Sequence, residues 1–392
     1  MRRTELQEEL RLMRFEEAYQ GWTENRFTQE EAARLLNVTD RTFRRYLAKY
    51  EEEGLDGLID KRLHQLSHRR APVDEVINLT LLFRHRYSTW NVKHFYSFYK
   101  RNHNGTRSYS WVKQTLQKEG LVAKSPKRGA HRKKRERAPM EGMMIHQDGS
   151  DHEWIVGERW DLIVTMDDAT SEHYSMFFVD EEGTASSFQG VKEVIEKKGL
   201  FCSLYTDRGS HYWTTPEVGG VVDKVQLTQF GKAMQKLGIE MIPAYSPEAR
   251  GRSERMFRTH QERLTKELAM NGITTMEKAN QYLREIYMPA FNAEFVVPAT
   301  VAGSAFVPWI NGNIDDVLCE QYERTVGKNN CVSFKGLVLQ IPKDEHRCHY
   351  VKAKVRIHQY ADGQMAIFHG PRKLATYDDK GEIKLPLKTK AA

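Results

Sequence analysis

The sequence predicts a multidomain chain: an all-α front built from helix-turn-helix modules, a central α/β core, and a small all-β barrel at the back. Three observations predict it. Apolar residues recur at helical spacing through the first third; from Met143 short apolar strands alternate with helical segments; beyond Cys331 apolar and polar residues alternate strictly. With 392 residues the chain is long enough for several domains with real cores.

Composition narrows the class. The chain has no apolar run long enough to span a bilayer, and its charged start, Met1-Arg2-Arg3-Thr4-Glu5, is unlike a signal peptide. The four cysteines (Cys202, Cys319, Cys331, Cys348) are scattered without a CxxC pair, which argues against a disulfide framework or zinc site and for a reducing cytoplasm. The net charge of +7 is unevenly spread. Residues 1–140 carry 30 Lys and Arg against 18 Asp and Glu, a surplus of +12, whereas residues 141–392 carry 30 against 35, a net of −5. A basic front and an acidic body suggest nucleic-acid binding joined to a metal-using domain.

The first domain spans residues 1–60. Leu6, Leu10 and Met13 mark a helix over 5–20, and Thr28-Gln29-Glu30-Glu31 reads as a capping box opening a short second helix. Asn37 to Asp40 form a tight turn. A third helix, Arg41 to about Glu53, buries Phe43, Leu47 and Tyr50 and turns Arg41, Thr42, Arg44, Arg45 and Lys49 outward. This is a helix-turn-helix whose second helix can enter a major groove; the competing reading is a helical hairpin with a solvated basic face. Residues 71–123 read as a second such module with helices over 72–87, 91–103 and 108–119, leaving Arg107, Lys113 and Gln114 exposed, or as a plain helical bundle. Residues 124–138 hold eight Lys or Arg and one acid over Lys124 to Arg137, a self-repelling linker whose Lys133 and Lys134 suit phosphate contact.

The core, 139–296, reads as strands over 143–148, 160–166 and 173–179, a helix (Phe188, Val191, Ile195), a strand over 201–206, a helix (Phe230, Met234, Leu237), a strand over 239–244 and a helix over 251–270. That order is the one of the ribonuclease-H-like fold. Residues 315–378 alternate Val351, Ala353, Val355 and Ile357 with Lys352, Lys354, Arg356 and His358, which predicts the small barrel with a basic face.

Within the core, three acids fall where the fold brings elements together: Asp148 ending the first strand, Asp207 after the fourth, and Glu254 near the start of the following helix. Phosphodiester chemistry is served by two Mg²⁺ or Mn²⁺ ions about 3.5–4 Å apart, held by hard carboxylate oxygens. Asp148 and Asp207 are placed to share one ion and Glu254 to complete the second, with Arg258 and Gln261 on Glu254's helical face for phosphate. Asp151 and Glu248 are the rivals, expected past the strand and in a loop respectively; Asp167 and Asp168 read as turn residues. GxSxG, GxxxxGK[ST] and HExxH are absent.

The segments HQDGSDHEW, TMDDAT, YTDRGSHY and AYSPEARGRSERMFRTHQERL resemble the integrase core of DDE-class insertion-sequence transposases, nearest the ISNCY-type group, and are more distantly similar to retroviral integrase. The resemblance implies Asp148, Asp207 and Glu254 as the catalytic, metal-binding triad, with Gly251 and Arg255 as supporting positions. It also implies a bacterial, nucleoid-associated DNA transposase that binds the terminal inverted repeats and target DNA as a homo-oligomer. The 46 residues between Asp207 and Glu254 exceed the family's usual spacing, which points to an insertion within Trp213 to Gln229. Two competing readings are a domesticated, inactive DNA-binding regulator and a structure-specific nuclease.

Overall fold

The computed structural model describes residues 3–59, 70–124, 136–216, 220–245, 247–343 and 347–384, with side chains of 3–6 and 247–250 left out. Lys133 and Lys134 lie outside these residues. The chain divides into two compact units, Met1–Phe83 and Arg84–Ala392.

The first unit holds α1 (Arg3–Thr23), α2 (Gln29–Leu35) and α3 (Asp40–Glu53), and α4 (Val73–Arg86) begins in it. The capping box forms as expected: Thr28 N–H donates to Glu31 Oε2 at 2.8 Å and Glu31 N–H donates to Thr28 Oγ1 at 3.3 Å. Asn37 takes the left-handed conformation (φ 55°) in the turn, and Thr39 caps α3. Phe15, Ala18, Ala32, Phe43 and Leu47 form the core of this unit.

In the second unit, α5 (Val92–Asn102) and α6 (Tyr109–Lys118) precede a five-stranded mixed sheet. Its strands are β1 (Met144–Ile155), β2 (Glu158–Asp167), β3 (His173–Val179), β4 (Ser203–Thr206) and β5 (Glu240–Pro243), in the order β3-β2-β1-β4-β5. The first three form the expected antiparallel meander; β4 and β5 run parallel to β1. One face packs Ile145 and Leu204 beneath α7 (Thr184–Lys197) and α8 (Gln229–Leu237) through Phe188, Val191, Phe230 and Met234. The other packs Leu162, Val164 and Phe178 beneath α9 (Pro247–Met270), α10 (Met276–Tyr282) and α11 (Met288–Phe295) through Phe257, Leu264, Tyr282 and Phe291. A π-helical turn, Leu283–Tyr287, joins α10 to α11.

Helix α5 docks on this second face. His94 Nε2 lies 2.7 Å from Glu267 Oε1 with both side chains buried, and the ring of His94 stacks on Trp90 at 3.8 Å. Lys266 donates to the Thr89 carbonyl at 2.7 Å, and Arg263 grips Glu294 through two nitrogens at 2.9 and 3.0 Å.

The expected C-terminal barrel is corrected to an open sheet. Its strands are β6 (Glu320–Thr325), β7 (Cys331–Phe334), β8 (Leu337–Gln340), β9 (Lys354–Gln359), β10 (Met365–His369), β11 (Arg372–Tyr377) and β12 (Ile383–Lys384). Five of them lie in the order β12-β11-β10-β9-β6 and β7-β8 stand apart as a hairpin. With β6 and β12 at opposite edges, no pairing among the described residues closes the sheet. His358, expected on the polar face, is buried against Phe368 with ring centroids 4.0 Å apart.

Candidate active site

Alternation along β1 decides which acid faces which helix. Ile145 and Gln147 point to α7, where the Gln147 amide donates to Thr165 Oγ1 and the Ser187 carbonyl. His146 and Asp148 therefore point to the opposite face, towards α9. The parallel register pairs His146 with Tyr205; Asp148 lies two residues further along β1, and Asp207 two residues further along the chain, one past the end of β4. Asp148 is 8 % exposed, and Asp207 Oδ1 accepts the Gly209 N–H at 2.8 Å. Glu254, Phe257, Arg258 and Gln261 of α9 share with Asp148 and Gly149 the lining of a cleft of about 370 Å³, and Gln261 donates to Ser150 Oγ at 3.0 Å. Glu254 and Arg258 are exposed there; Arg255 is exposed too but does not line the cleft.

The rival acids are placed differently from the sequence expectation. Asp151 lies inside β1, not past it, but three residues from Asp148 it takes the opposite face, and Arg159 pairs with it at 2.5 Å. Glu248 lies in the first turn of α9, not in a loop, because Pro247 suits a helix start. Asp167 and Asp168 stand at and just past the end of β2 as expected, yet both are fully buried. Asp167 accepts the Thr170 and Gly142 amides at 2.8 and 2.9 Å. Asp168 Oδ1 meets His146 Nε2 at 2.6 Å and Arg252 Nη1, and its Oδ2 accepts the Ala138 N–H at 2.7 Å.

Two residues at this edge escape sequence reasoning. The Glu182 carboxylate lies against Gly149, where a Cβ would collide with it, and His211 Nε2 is 3.4 Å from Glu182 Oε1. Glu182 follows Asp180 and Glu181, a run that looks like a solvated loop; the only sequence signal is Gly149 inside a strand, a mark of close approach. Tyr212 is buried beside these acids. Burial pushes its hydroxyl well above the ordinary tyrosine range, and the charges of Glu182, Asp148 and Asp207 add to the shift.

Asp148, Asp207 and Glu254 are carboxylates, the hard oxygen donors a divalent cation takes. Among the described residues, no three His, Cys, Asp or Glu side chains converge closely enough to close round an ion.

The DNA-reading candidates lie in both units. On α3, Arg41, Arg44, Arg45 and Lys49 are exposed, Thr42 is half-buried with its N–H on the Thr39 cap, and Arg44 pairs with Asp40 at 2.7 Å. On and before α6, Gln114 is exposed, Lys113 is half-buried and Arg107 lies over the Trp111 ring at 5.2 Å.

Comparison with known proteins relates this chain to insertion-sequence transposases. Residues 17–75 match the winged helix-turn helix family. The chain is 28 % identical over 352 residues to a putative transposase, y4bF, of Sinorhizobium fredii, covering 88 % of this chain and 76 % of that one. It is 25 % identical over 307 residues to the transposase for insertion sequence IS1202 of Streptococcus pneumoniae, covering 68 % and 65 % respectively. The resemblance to insertion-sequence transposases thus extends over most of the chain. Among solved structures, a simian T-cell lymphotropic virus intasome in complex with a PP2A regulatory subunit aligns at 14 % identity and TM-score 0.34, over 72 % of this chain and 93 % of that one. The HTLV-2 integrase catalytic core domain with magnesium aligns at 14 % and 0.30, over 38 % and 87 %.

Proposed function

We propose that this chain is a metal-dependent DNA transposase of the DDE type, which binds the terminal inverted repeats of its element and cleaves and joins DNA strands at Asp148, Asp207 and Glu254. The observation that supports the reading is that Asp148 of β1 and Glu254 of α9 line one cleft, while Asp207 follows directly on β4, the strand that pairs in parallel with β1. Asp148 and Asp207 would hold one Mg²⁺ or Mn²⁺ between them and Glu254 a second; bound there, the two ions supply activation of the attacking oxygen and stabilisation of the leaving one.

The chain's own groups do the rest. Arg258 and Gln261, one and two turns along α9 from Glu254, face the cleft where a scissile phosphate would lie and offer it cationic and amide donors. The exposed basic side chains of α3 read the repeat in a major groove, and Lys133, Lys134 and Arg255 contribute phosphate contacts without sequence information. One site handles one strand at a time, so joining two ends coordinately calls for a homo-oligomer on double-stranded DNA, working in the cytoplasm.

The test is a gel assay of end cleavage and strand joining on repeat DNA with Mg²⁺ or Mn²⁺. Asp148→Asn, Asp207→Asn and Glu254→Gln abolish both steps and keep DNA binding, whereas Asp151→Asn keeps substantial activity. Cleavage by Asp207→Asn at the wild-type rate would overturn the assignment. A wild-type protein that binds repeats but never cuts them would instead make the chain a domesticated regulator.

A further inference from the structure

Two residues before each of the three acids stands a residue of one buried polar cluster. His146 precedes Asp148, Tyr205 precedes Asp207 and Arg252 precedes Glu254. The His146 ring packs on that of Tyr205 at 4.8 Å, across the strand pair they share. Asp168 ties the remaining arm to them: its Oδ1 accepts from His146 Nε2 at 2.6 Å and from Arg252 Nη1, which also donates to the Asp168 carbonyl at 3.2 Å. Its backbone N–H donates to the Met144 carbonyl at 2.9 Å, fixing it to β1, and its Oδ2 takes the Ala138 N–H.

We propose that Asp168 is the positioning residue of the active site, a buried anion that fixes the start of α9 against β1 and β4 and so sets how closely Glu254 approaches Asp148 and Asp207. The proposal rests on the triad reading above.

The geometry favours this role over that of a turn residue. A turn aspartate bonds its own loop, as Asp167 does through Thr170, with the Gly142 amide as its one further partner among the described residues. Asp168 instead bonds three distant segments: Ala138 ahead of the sheet, His146 on β1 and Arg252 on α9. Burial pushes its carboxyl up, but His146, the Ala138 amide and Arg252 more than offset this and hold it well below the usual carboxylate range. It is therefore an anion at neutral pH, met by Arg252 in the second turn of α9, whose side chain is 20 % exposed. Among the described residues Glu254 has no comparable anchor of its own: it stands exposed on the cleft, and its distance to the aspartates follows from how α9 is held.

The test uses the full-length protein and amide hydrogen exchange, with neither metal nor DNA present. Asp168→Asn keeps the shape and removes the charge that holds Arg252. Exchange over residues 251–258 speeds up by roughly tenfold or more, while β2 and β3 exchange at the wild-type rate. Arg252→Gln gives the same local change and serves as the second arm should Asp168→Asn fail to fold, and the double variant is no faster than either single one. In the cleavage assay the Mg²⁺ concentration for half-maximal rate rises severalfold in both variants, with repeat binding unchanged. Unchanged exchange over 251–258, or equal acceleration throughout the sheet, would overturn the positioning role. A wild-type protein without cleavage activity would sink the transposase reading while leaving the exchange comparison to judge Asp168.

Discussion

The helix that carries Glu254 is fastened to β3 by a chain of neutral imidazoles, and acid should undo it. His173 Nδ1 lies 3.1 Å from the Ser171 carbonyl, His173 Nε2 lies 3.1 Å from His260 Nε2, and His260 Nδ1 lies 2.9 Å from the Tyr287 hydroxyl. A carbonyl only accepts, so His173 Nδ1 carries the proton; its Nε2 then accepts from His260, whose Nδ1 accepts from Tyr287. Protonating either ring would set two N–H groups, or N–H and O–H, against each other. Burial holds His173 down at about 4, and burial, then the charges of His173 and Arg263, hold His260 well below its ordinary value. Above the unfolded imidazole value near 6.5 neither state binds the proton and the contribution is whole. As pH falls from about 6.5 to 4 the unfolded chain binds protons that the folded one refuses, and stability is lost. At about 1.4 kcal/mol per tenfold in proton affinity, His173 alone accounts for roughly 3 kcal/mol over that window. Urea unfolding followed by tryptophan fluorescence at pH 7.5 and 4.5 measures it. His173→Gln should be less stable at pH 7.5 yet lose roughly 3 kcal/mol less than wild type on going to pH 4.5. An equal loss in both proteins would refute the reasoning.

Three further outcomes follow from particular contacts. Gly149→Ala drives a methyl into the Glu182 carboxylate and should cut end cleavage by at least about tenfold with repeat binding unchanged, measured by gel assay. Arg44→Ala with Arg45→Ala should weaken binding to repeat DNA more than to random DNA in a titration, whereas Lys133→Ala with Lys134→Ala should weaken both and flatten the salt slope by about 0.9 per lost phosphate contact. Glu267→Leu strips the acceptor from His94 and from the Tyr282 hydroxyl, 2.6 Å away, and should cost on the order of 3 kcal/mol in urea unfolding; a loss below about 0.5 kcal/mol would show that α5 does not depend on this pair.

Much of the fold was legible because it is written in periodicity. The helical spacing of Phe188, Val191 and Ile195 and the capping box at Thr28 marked helices that form, as α7 and α2. Closure was not legible. Alternation at Val355 and Ile357 identifies a strand but not its partner, and whether a sheet becomes a barrel depends on which edges meet; here β6 pairs with β9 and, among the described residues, nothing joins it to β12. The burial of His358 was hidden for the same reason, since a strand at the middle of a sheet can be covered on both faces.

The site divides along a similar line. Asp148, Asp207 and Glu254 stood out in the sequence because each was expected at a fixed place on its element, a strand end or the start of a helix beside a proline and a glycine; Asp207 does follow β4 directly, whereas β1 runs on to Ile155 and leaves Asp148 inside it. The groups that hold those elements need no such place. Asp168 does its bonding through Ala138, His146 and Arg252, which lie 30, 22 and 84 residues away, so no local pattern could mark it off from Asp167 beside it. Glu182 reaches the site only because Gly149 leaves room for it. A strand glycine beside an acid, with no turn to justify it, was the trace that a second carboxylate approaches there, and it is the kind of signal a reading of the acids alone passes over.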